Sequence, residues 1–223
     1  MRIIILNGWG HSAAHWNPIA EKLVRFGSVE TWDLPGFGNE PLVSATWTIT
    51  QYADWVQEKI GGTEEDIVLI GHSFGGRIAS ILAARQPPWL RALILIGAPS
   101  IYRPSAKIRI KSTIASLVKP FVPSSLRCKL LPEELRDAED AGIGRVFRNA
   151  VTNDQTKALP MIAVPTLLIW GANDDAAPMA LAHEIKTLIP GSKLVILPGL
   201  GHNVHLENPL LTYGTIEQFV ESV

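Results

Sequence analysis

Three side chains along this chain, a serine, an aspartate and a histidine, have the types and the order that covalent hydrolysis requires. The serine is Ser73, which stands in the segment Gly-His-Ser-Phe-Gly at residues 71–75. An apolar run at residues 67–70 precedes it and predicts a buried strand, and residues 77–85 predict a helix. A serine at such a strand-to-helix corner has a strained backbone and an exposed Oγ, and flanking glycines let neighbouring chains approach closely. Ser73 is therefore predicted to be the nucleophile.

The acid and the histidine follow later strands. Apolar runs at residues 166–170 and 193–197 predict two more strands, and Asp174 and His202 stand a few residues after their ends. Ligands and catalytic groups of open α/β sheets gather at this end of the strands. We expect His202 to take the proton of Ser73, and Asp174 to hold the correct imidazole tautomer and stabilise the imidazolium.

Short apolar runs alternate with amphipathic segments along the whole chain. This alternation predicts a doubly wound α/β fold with a mainly parallel sheet of about six strands. The predicted strands are residues 2–6, 29–32, 67–70, 92–96, 166–170 and 193–197. Asn17, Thr50 and Asn208 are predicted to cap the helices that follow them.

The chain has the length of one α/β domain, so residues 1–223 are predicted to form a single domain. Between residues 101 and 165 the alternation gives way to basic, proline-interrupted helical pieces. We interpret this segment as a lid that is inserted in the domain over the site.

Composition is that of a compact enzyme. With 47% hydrophobic and 18% charged residues the chain is not predicted to be disordered, and a net charge of -1 argues against nucleic acid as a partner. The first apolar run is too short for a signal peptide, and the longest runs are too short to cross a membrane. Cys128 is the one cysteine, so no internal disulfide can form and a cytoplasmic location is expected.

These motifs together resemble the α/β-hydrolase family over essentially the whole chain. The family's nucleophile elbow matches residues 71–75, its oxyanion loop residues 7–10, and its Asp-x-Pro-Gly-x-Gly loop residues 33–38. Its acid loop matches residues 171–178 and its histidine loop residues 201–209. The resemblance implies an α/β-hydrolase fold and a serine hydrolase that works without a cofactor.

The resemblance also assigns roles to individual residues. The family's spacing to Pro178 selects Asp174 as the acid, rather than the adjacent Asp175. The family's oxyanion donors are backbone N–H groups, which by position are those of Trp9 and Phe74. Both side chains are also expected as walls of the pocket.

Two features depart from the family's pattern. Asn7 stands where the oxyanion loop usually begins with a histidine, a change that leaves the backbone donors in place. No antiparallel hairpin precedes the first predicted strand, so the sheet is expected to be shorter at one edge.

Within the family, Gly-Trp-Gly at residues 8–10, Trp16 and residues 33–38 look most like one group of carboxylesterases. That group cleaves the methyl ester of pimeloyl-acyl carrier protein in biotin synthesis. The likeness implies an ester linked to an acyl carrier protein as the substrate, and a small-molecule ester is the alternative.

The predicted lid begins with charge of one sign. Seven cations follow one another without an acid among them, and a group of five acids comes next. The cations are Arg103, Lys107, Arg109, Lys111, Lys119, Arg127 and Lys129, and the acids are Glu133, Glu134, Asp137, Glu139 and Asp140. One interpretation is a solvated helix face. The other is a docking surface for an acidic acyl carrier protein, because a patch of one sign steers a partner of the opposite sign.

Three further histidines attract attention. His11 and His15 are four residues apart, as in a metal-binding pair, but no glutamate motif and no third ligand stands nearby in sequence. We therefore predict no metal site and a polar face beside the oxyanion loop. His205 is expected to order the loop that carries His202.

Three functions remain open from the residues. The leading one is a serine carboxylesterase or related acyl hydrolase that uses the Ser73, Asp174 and His202 triad. The second is a cofactor-free C–C hydrolase or lyase in which Ser73 assists proton transfer. The third is a non-catalytic ligand receptor on the same scaffold, against which the intact triad weighs.

Overall fold

A computed structural model of the chain describes residues 1–103 and 133–223. In this part, six strands form one sheet in the order β2-β1-β3-β4-β5-β6, and all five pairings are parallel. The strands are β1 (Arg2–Leu6), β2 (Ser28–Trp32), β3 (Ile67–His72), β4 (Leu90–Ile96), β5 (Thr166–Gly171) and β6 (Lys193–Leu197). All six predicted strands are confirmed, and none of their ends moves by more than two residues.

Helices cover both faces of the sheet, as the predicted doubly wound fold requires. The described helices are α1 (Asn17–Leu23), α2 (Ile49–Ile60), α3 (Ser73–Ala84), α4 (Glu133–Asp140), α5 (Gly144–Thr152), α6 (Met179–Leu188), α7 (Val204–Glu207) and α8 (Pro209–Val220). Short 3-10 turns occur at Ala13–Trp16, Val24–Phe26 and Leu159–Met161. None of these described helices is long and apolar enough to cross a membrane.

The core consists of two apolar layers separated by the sheet. In β1, Ile4 and Leu6 belong to the layer that includes α2, α3 and α6, whereas Ile3 and Ile5 belong to the layer that includes α1 and α8. Because side chains alternate along a strand and both faces are covered, β1 and β3 are apolar almost throughout.

Local capping confirms one of the three predicted helix caps. The prediction for α1 was wrong, because Asn17 is the first residue of the helix and Trp16 is its N-cap. Asn208 accepts a hydrogen bond from the backbone N–H of Leu211 at 3.0 Å and so caps α8. For α2 the prediction was wrong: Thr48 is the N-cap, and Thr50 lies inside the helix. The reason is that Gln51 stands three residues after Thr48, and the two residues bond each other's backbone N–H groups in a capping box.

Part of the predicted lid at residues 101–165 lies outside the described residues. This applies to Lys107, Arg109, Lys111, Lys119, Arg127 and Lys129, and to Cys128. In the described part, α5 buries Val146 and Ala150 in the same apolar layer as α2 and α3. The inserted segment therefore shares the core of the sheet domain at this point.

The strand order brings the predicted site residues to one edge of the sheet. Ser73 follows β3, Asp174 follows β5 and His202 follows β6. All six strands are parallel, so these carboxyl ends lie on the same side, with β4 placed between β3 and β5.

Candidate active site

The turn from β3 to α3 places Ser73 at a sharp corner. Ser73 has a φ of 48°, a value that side chains other than glycine rarely adopt. A Cβ on Gly71 would come within 2.6 Å of the Cα of Gly76, and one on Gly75 within 2.4 Å of the carbonyl oxygen of Leu6. Only glycine fits at these two positions, which explains the segment's sequence.

Hydrogen bonds join Ser73, His202 and Asp174 in a line. The Oγ of Ser73 lies 2.9 Å from Nε2 of His202, and Nδ1 of His202 lies 2.8 Å from Oδ2 of Asp174. A carboxylate accepts the proton on Nδ1, so Nε2 keeps the lone pair that faces the serine hydroxyl. The arrangement can therefore move a proton from Ser73 to His202.

The two adjacent aspartates have different surroundings. The side chain of Asp174 is fully buried against His202, and its Oδ1 accepts the backbone N–H of Ala177 at 2.7 Å. Asp175 is exposed. The structure thus places Asp174, and not its neighbour, against the imidazole.

The loop after β1 runs beside Ser73. A Cβ on Gly8 would lie 3.3 Å from Cβ of Ser73, so the backbone beside Trp9 is next to the nucleophile. Phe74 is the second residue of α3, where backbone N–H groups have no partner within the helix. The predicted oxyanion donors, the N–H groups of Trp9 and Phe74, therefore belong to two segments that meet at Ser73.

Asn7 and Asp33 hold this loop in place. The buried amide of Asn7 donates to the carbonyl oxygen of His11 at 2.6 Å and to Oδ1 of Asp33 at 3.4 Å. Asp33 also accepts the backbone N–H groups of Ala13 at 2.6 Å and Asn39 at 2.9 Å. In this chain Asn7 thus supplies contacts that fix the oxyanion loop without a histidine.

A pocket of about 330 Å³ opens beside Ser73 and His202. Its walls are mainly apolar and are lined by Trp9, Phe74, Pro99, Phe147, Ala150, Val151 and Ala176. The ring of Trp9 contacts Phe37, Phe74 and Phe147 edge to face, with centroids 4.9 to 5.4 Å apart. Trp9 and Phe74 are thus both pocket walls, as expected from the sequence.

Next to His202 lies a group of buried imidazoles. His72 donates from Nε2 to the backbone carbonyl of His202 at 3.1 Å. His205 stacks on Trp16 with ring centroids 4.3 Å apart, and its ring lies 4.5 Å from that of His72. His205 therefore orders the histidine loop by packing, since neither of its ring nitrogens has a partner among the described residues.

Burial keeps these rings neutral. Loss of hydration lowers the pKa of His72 well below its usual value and lowers the pKa of His205 to about 3, and neighbouring imidazoles add to both effects. Burial also lowers the pKa of His11. One ring nitrogen from each of His11, His72 and His205 lies within 4.8 Å of the others, so these are the described residues that could hold a metal ion. His15, considered with His11 from the sequence, is not in this set.

Sequence reasoning missed several residues that shape the site. Glu207 accepts the backbone N–H groups of Gly201 at 2.6 Å and Asn203 at 3.1 Å, and so braces the loop of His202 on both sides. Its place in the matched loop at residues 201–209 was a usable signal. Arg77 is buried and lines the pocket, and no motif in the sequence singled it out.

Arg103 differs from the expectation of a one-signed patch. Its guanidinium binds Glu184 at 2.6 Å and Asp154 at 3.3 Å. Both acids are distant in sequence, and for this reason the local charge pattern did not reveal them. The charge of Arg103, one of the seven predicted cations, is therefore compensated by two carboxylates.

Comparison with known proteins gives a consistent result. A model described as "Alpha/beta hydrolase family" matches residues 3–213. An uncharacterized protein of Mycobacterium tuberculosis is 25% identical, with 99% of this chain and 75% of that protein covered. A pimeloyl-[acyl-carrier protein] methyl ester esterase of Neisseria meningitidis is 26% identical over 100% of this chain and 94% of that protein.

Solved structures show the same fold. An esterase from Exiguobacterium antarcticum superposes with a TM-score of 0.77 at 22% identity, over 99% of this chain and 91% of that one.

Proposed function

The chain belongs to the alpha/beta hydrolase family and is a carboxylic ester hydrolase, and from that premise we propose that it acts through a Ser73–His202–Asp174 triad and an acyl-enzyme. The observation that carries the proposal is the continuous line from the Oγ of Ser73 through His202 to Asp174, with contacts of 2.9 and 2.8 Å.

In the first half of the reaction, the Oγ of Ser73 attacks the ester carbonyl carbon while Nε2 of His202 takes the hydroxyl proton. Asp174 stabilises the imidazolium that forms, and the N–H groups of Trp9 and Phe74 stabilise the negative charge on the carbonyl oxygen. The tetrahedral intermediate collapses when the bond to the alcohol breaks, and His202 returns the proton to the departing alcohol. The acyl group remains on Ser73.

In the second half, water takes the place of the alcohol. His202 removes a proton from the water, which attacks the acyl carbonyl, and the same N–H groups hold the new oxyanion. The Oγ of Ser73 leaves and recovers its proton from His202, so the free acid is released and the enzyme is restored.

The experiment that tests this mechanism is hydrolysis of p-nitrophenyl esters graded by acyl length, with mass spectrometry of the protein after rapid quenching. We expect a transient mass increase equal to the acyl group, located on the peptide that contains Ser73. Ser73→Ala is the matched control and should show no such increase. A covalent adduct on another residue, or full turnover by the control, would contradict the mechanism.

For the natural substrate we propose an ester carried by an acyl carrier protein. The Neisseria meningitidis relative supports this, because its name states a pimeloyl-carrier methyl ester as substrate. The cations of residues 104–132 also support it, because a segment with charge of one sign would steer an acidic carrier protein towards the enzyme. We also propose that residues 101–165 form a lid over the pocket and that the enzyme is cytoplasmic.

The salt dependence of the rate distinguishes a carrier-linked substrate from a free ester. Surface charges are screened within about 8 to 10 Å at physiological ionic strength, so kcat/KM for the carrier-linked ester should fall steeply as salt rises. A small neutral ester should be nearly indifferent. Equal responses of the two substrates would leave the chain a hydrolase of free esters.

A further inference from the structure

Arg77 lies one helical turn after the nucleophile. Residues four apart on a helix share a face, with Cα atoms about 6 Å apart along the axis. Arg77 is 6% exposed and lines the same pocket as Ser73. A cationic side chain is thus built into the wall of a pocket that is otherwise mainly apolar.

The charge of Arg77 has little compensation within the protein. Nη1 donates to the backbone carbonyl of Asn153 at 3.0 Å, and Arg77 forms no ion pair with any carboxylate among the side chains that the structure describes, which exclude those of residues 104–134. Asp154 is close enough to act on Arg77 electrostatically, but its carboxylate is bound by Arg103 and Thr156. Burial lowers the pKa of Arg77 to about 10, which still leaves the guanidinium charged at neutral pH.

Residues 104–132, which lie outside the described part of the chain, offer no counter-charge either. Residues 104–132 contain no aspartate or glutamate, and they carry six lysines and arginines. A carboxylate for Arg77 therefore cannot come from that segment. An isolated buried charge is costly, so a pocket of this kind gains free energy when a ligand brings the anion.

We propose that Arg77 binds a second carboxylate when the substrate is a small free ester, so that among such esters the enzyme prefers half-esters of short dicarboxylic acids over neutral esters. The proposal rests on ester hydrolysis at Ser73 and narrows its substrate class. A guanidinium presents paired N–H groups that match the two oxygens of a carboxylate, which fixes orientation as well as charge. With a pocket of about 330 Å³, at the small end for ligand sites, the acyl chain between the two groups is short.

The test compares two esters that differ only at the end of the acyl chain. In the p-nitrophenyl half-ester of glutaric acid, a carboxylate stands where p-nitrophenyl pentanoate has a methyl group. We expect the wild-type protein to have a kcat/KM at least tenfold higher for the half-ester at 0.3 M salt, where attraction by distant surface cations is screened. The ratio of the two rates in one sample does not depend on how much of the protein is folded.

Variants at Arg77 should change that ratio. Arg77→Met should lower it by roughly 100-fold, because the charge-assisted pair is lost, and Arg77→Lys should give an intermediate value. Arg148→Met is the matched control: it removes an exposed arginine of α5 that pairs with Glu139, and it should leave the ratio unchanged. Free glutarate should inhibit pentanoate hydrolysis competitively in the wild type and far more weakly in Arg77→Met.

Each outcome has one meaning. A wild-type ratio near one, or a ratio that survives Arg77→Met, overturns the carboxylate subsite and leaves Arg77 as an anchor for residues 153–155. Absence of hydrolysis of both esters, or hydrolysis by Ser73→Ala, overturns the proposed mechanism instead. A carrier-linked methyl ester has no free carboxylate, so its turnover should not share the half-ester's dependence on Arg77.

Discussion

His202 and His205 carry the same side chain three positions apart, but their surroundings differ. His202 faces Asp174 on one side and Ser73 on the other, and 21% of its side chain is exposed. His205 is 1% exposed, stacks on Trp16 and has no carboxylate partner among the described residues. The difference indicates that a carboxylate together with access to the pocket suits an imidazole to act as a base, the role proposed for His202, whereas burial without a carboxylate leaves His205 as a packing group.

The largest expected effect comes from removing the members of the reactive arrangement. Ser73→Ala and His202→Ala should each lower kcat for p-nitrophenyl pentanoate by about 10⁴ to 10⁶, because triad members act as a unit. The double variant should lose little more. Thermal unfolding should stay close to that of the wild type. Retention of a tenth of the wild-type rate by either variant would contradict the roles proposed for Ser73 and His202.

The next effect isolates the carboxylate. Asp174→Asn should lower kcat by roughly 10⁴, because an amide does not hold the imidazole tautomer that faces the serine. Asp175→Asn is the matched control and should change kcat by less than about threefold, because this side chain is exposed. A reversed ranking would move the acid one residue along the chain.

Acid should destabilise the protein through the buried rings. The pKa of His205 is about 3 in the folded protein and about 6.5 in an unfolded chain, so between these values the unfolded state binds more protons. The neutral ring therefore contributes its full share of the unfolding free energy above about pH 6.5. This share is lost as pH falls towards 3, with a slope of up to about 1.4 kcal/mol per pH unit for this ring. Urea unfolding across this range measures it.

His205→Phe keeps a ring against Trp16 and removes the titrating group. Its unfolding free energy should therefore fall less steeply with acid than that of the wild type. If both proteins gave the same slope, His205 would not be the neutral packing group that the comparison requires.

The smallest effect concerns how the reactive ring is held. Glu207→Gln should lower kcat by about tenfold, because it weakens the charge-assisted bonds to Gly201 and Asn203 that flank His202. Glu221→Gln removes an exposed carboxylate that pairs with Arg25 and should have no measurable effect on kcat. Equal rates for the two variants would mean that packing alone holds the loop.

The fold and the line from Ser73 to Asp174 could be predicted from sequence because their signals are local. Continuous apolar runs gave the strands, and glycines mark the elbow where a Cβ would collide with Gly76 and Leu6. The expectation that the flanking glycines at the elbow tolerate no side chain agrees with these contacts.

The cluster of three imidazoles and the environment of Arg77 could not be recognised in this way. His11, His72 and His205 come from three distant segments, and only the folded chain brings them together. The environment of Arg77 depends on which acids are already engaged, such as Asp154 with Arg103. The wrong prediction for the cap of α2 has a local cause. Thr48 forms a capping box with Gln51, so the helix begins before Thr50.

The sheet order also has a consequence for how the chain folds. Ser73 and His202 are 129 residues apart in sequence, and β4 and β5 must both be in place before β6 can dock. Contacts of such long range form late, because the entropy of closing the intervening loop is lost before the contact compensates for it. Recovery of hydrolytic activity during refolding therefore reports completion of the last strand, later than the recovery of helical circular dichroism.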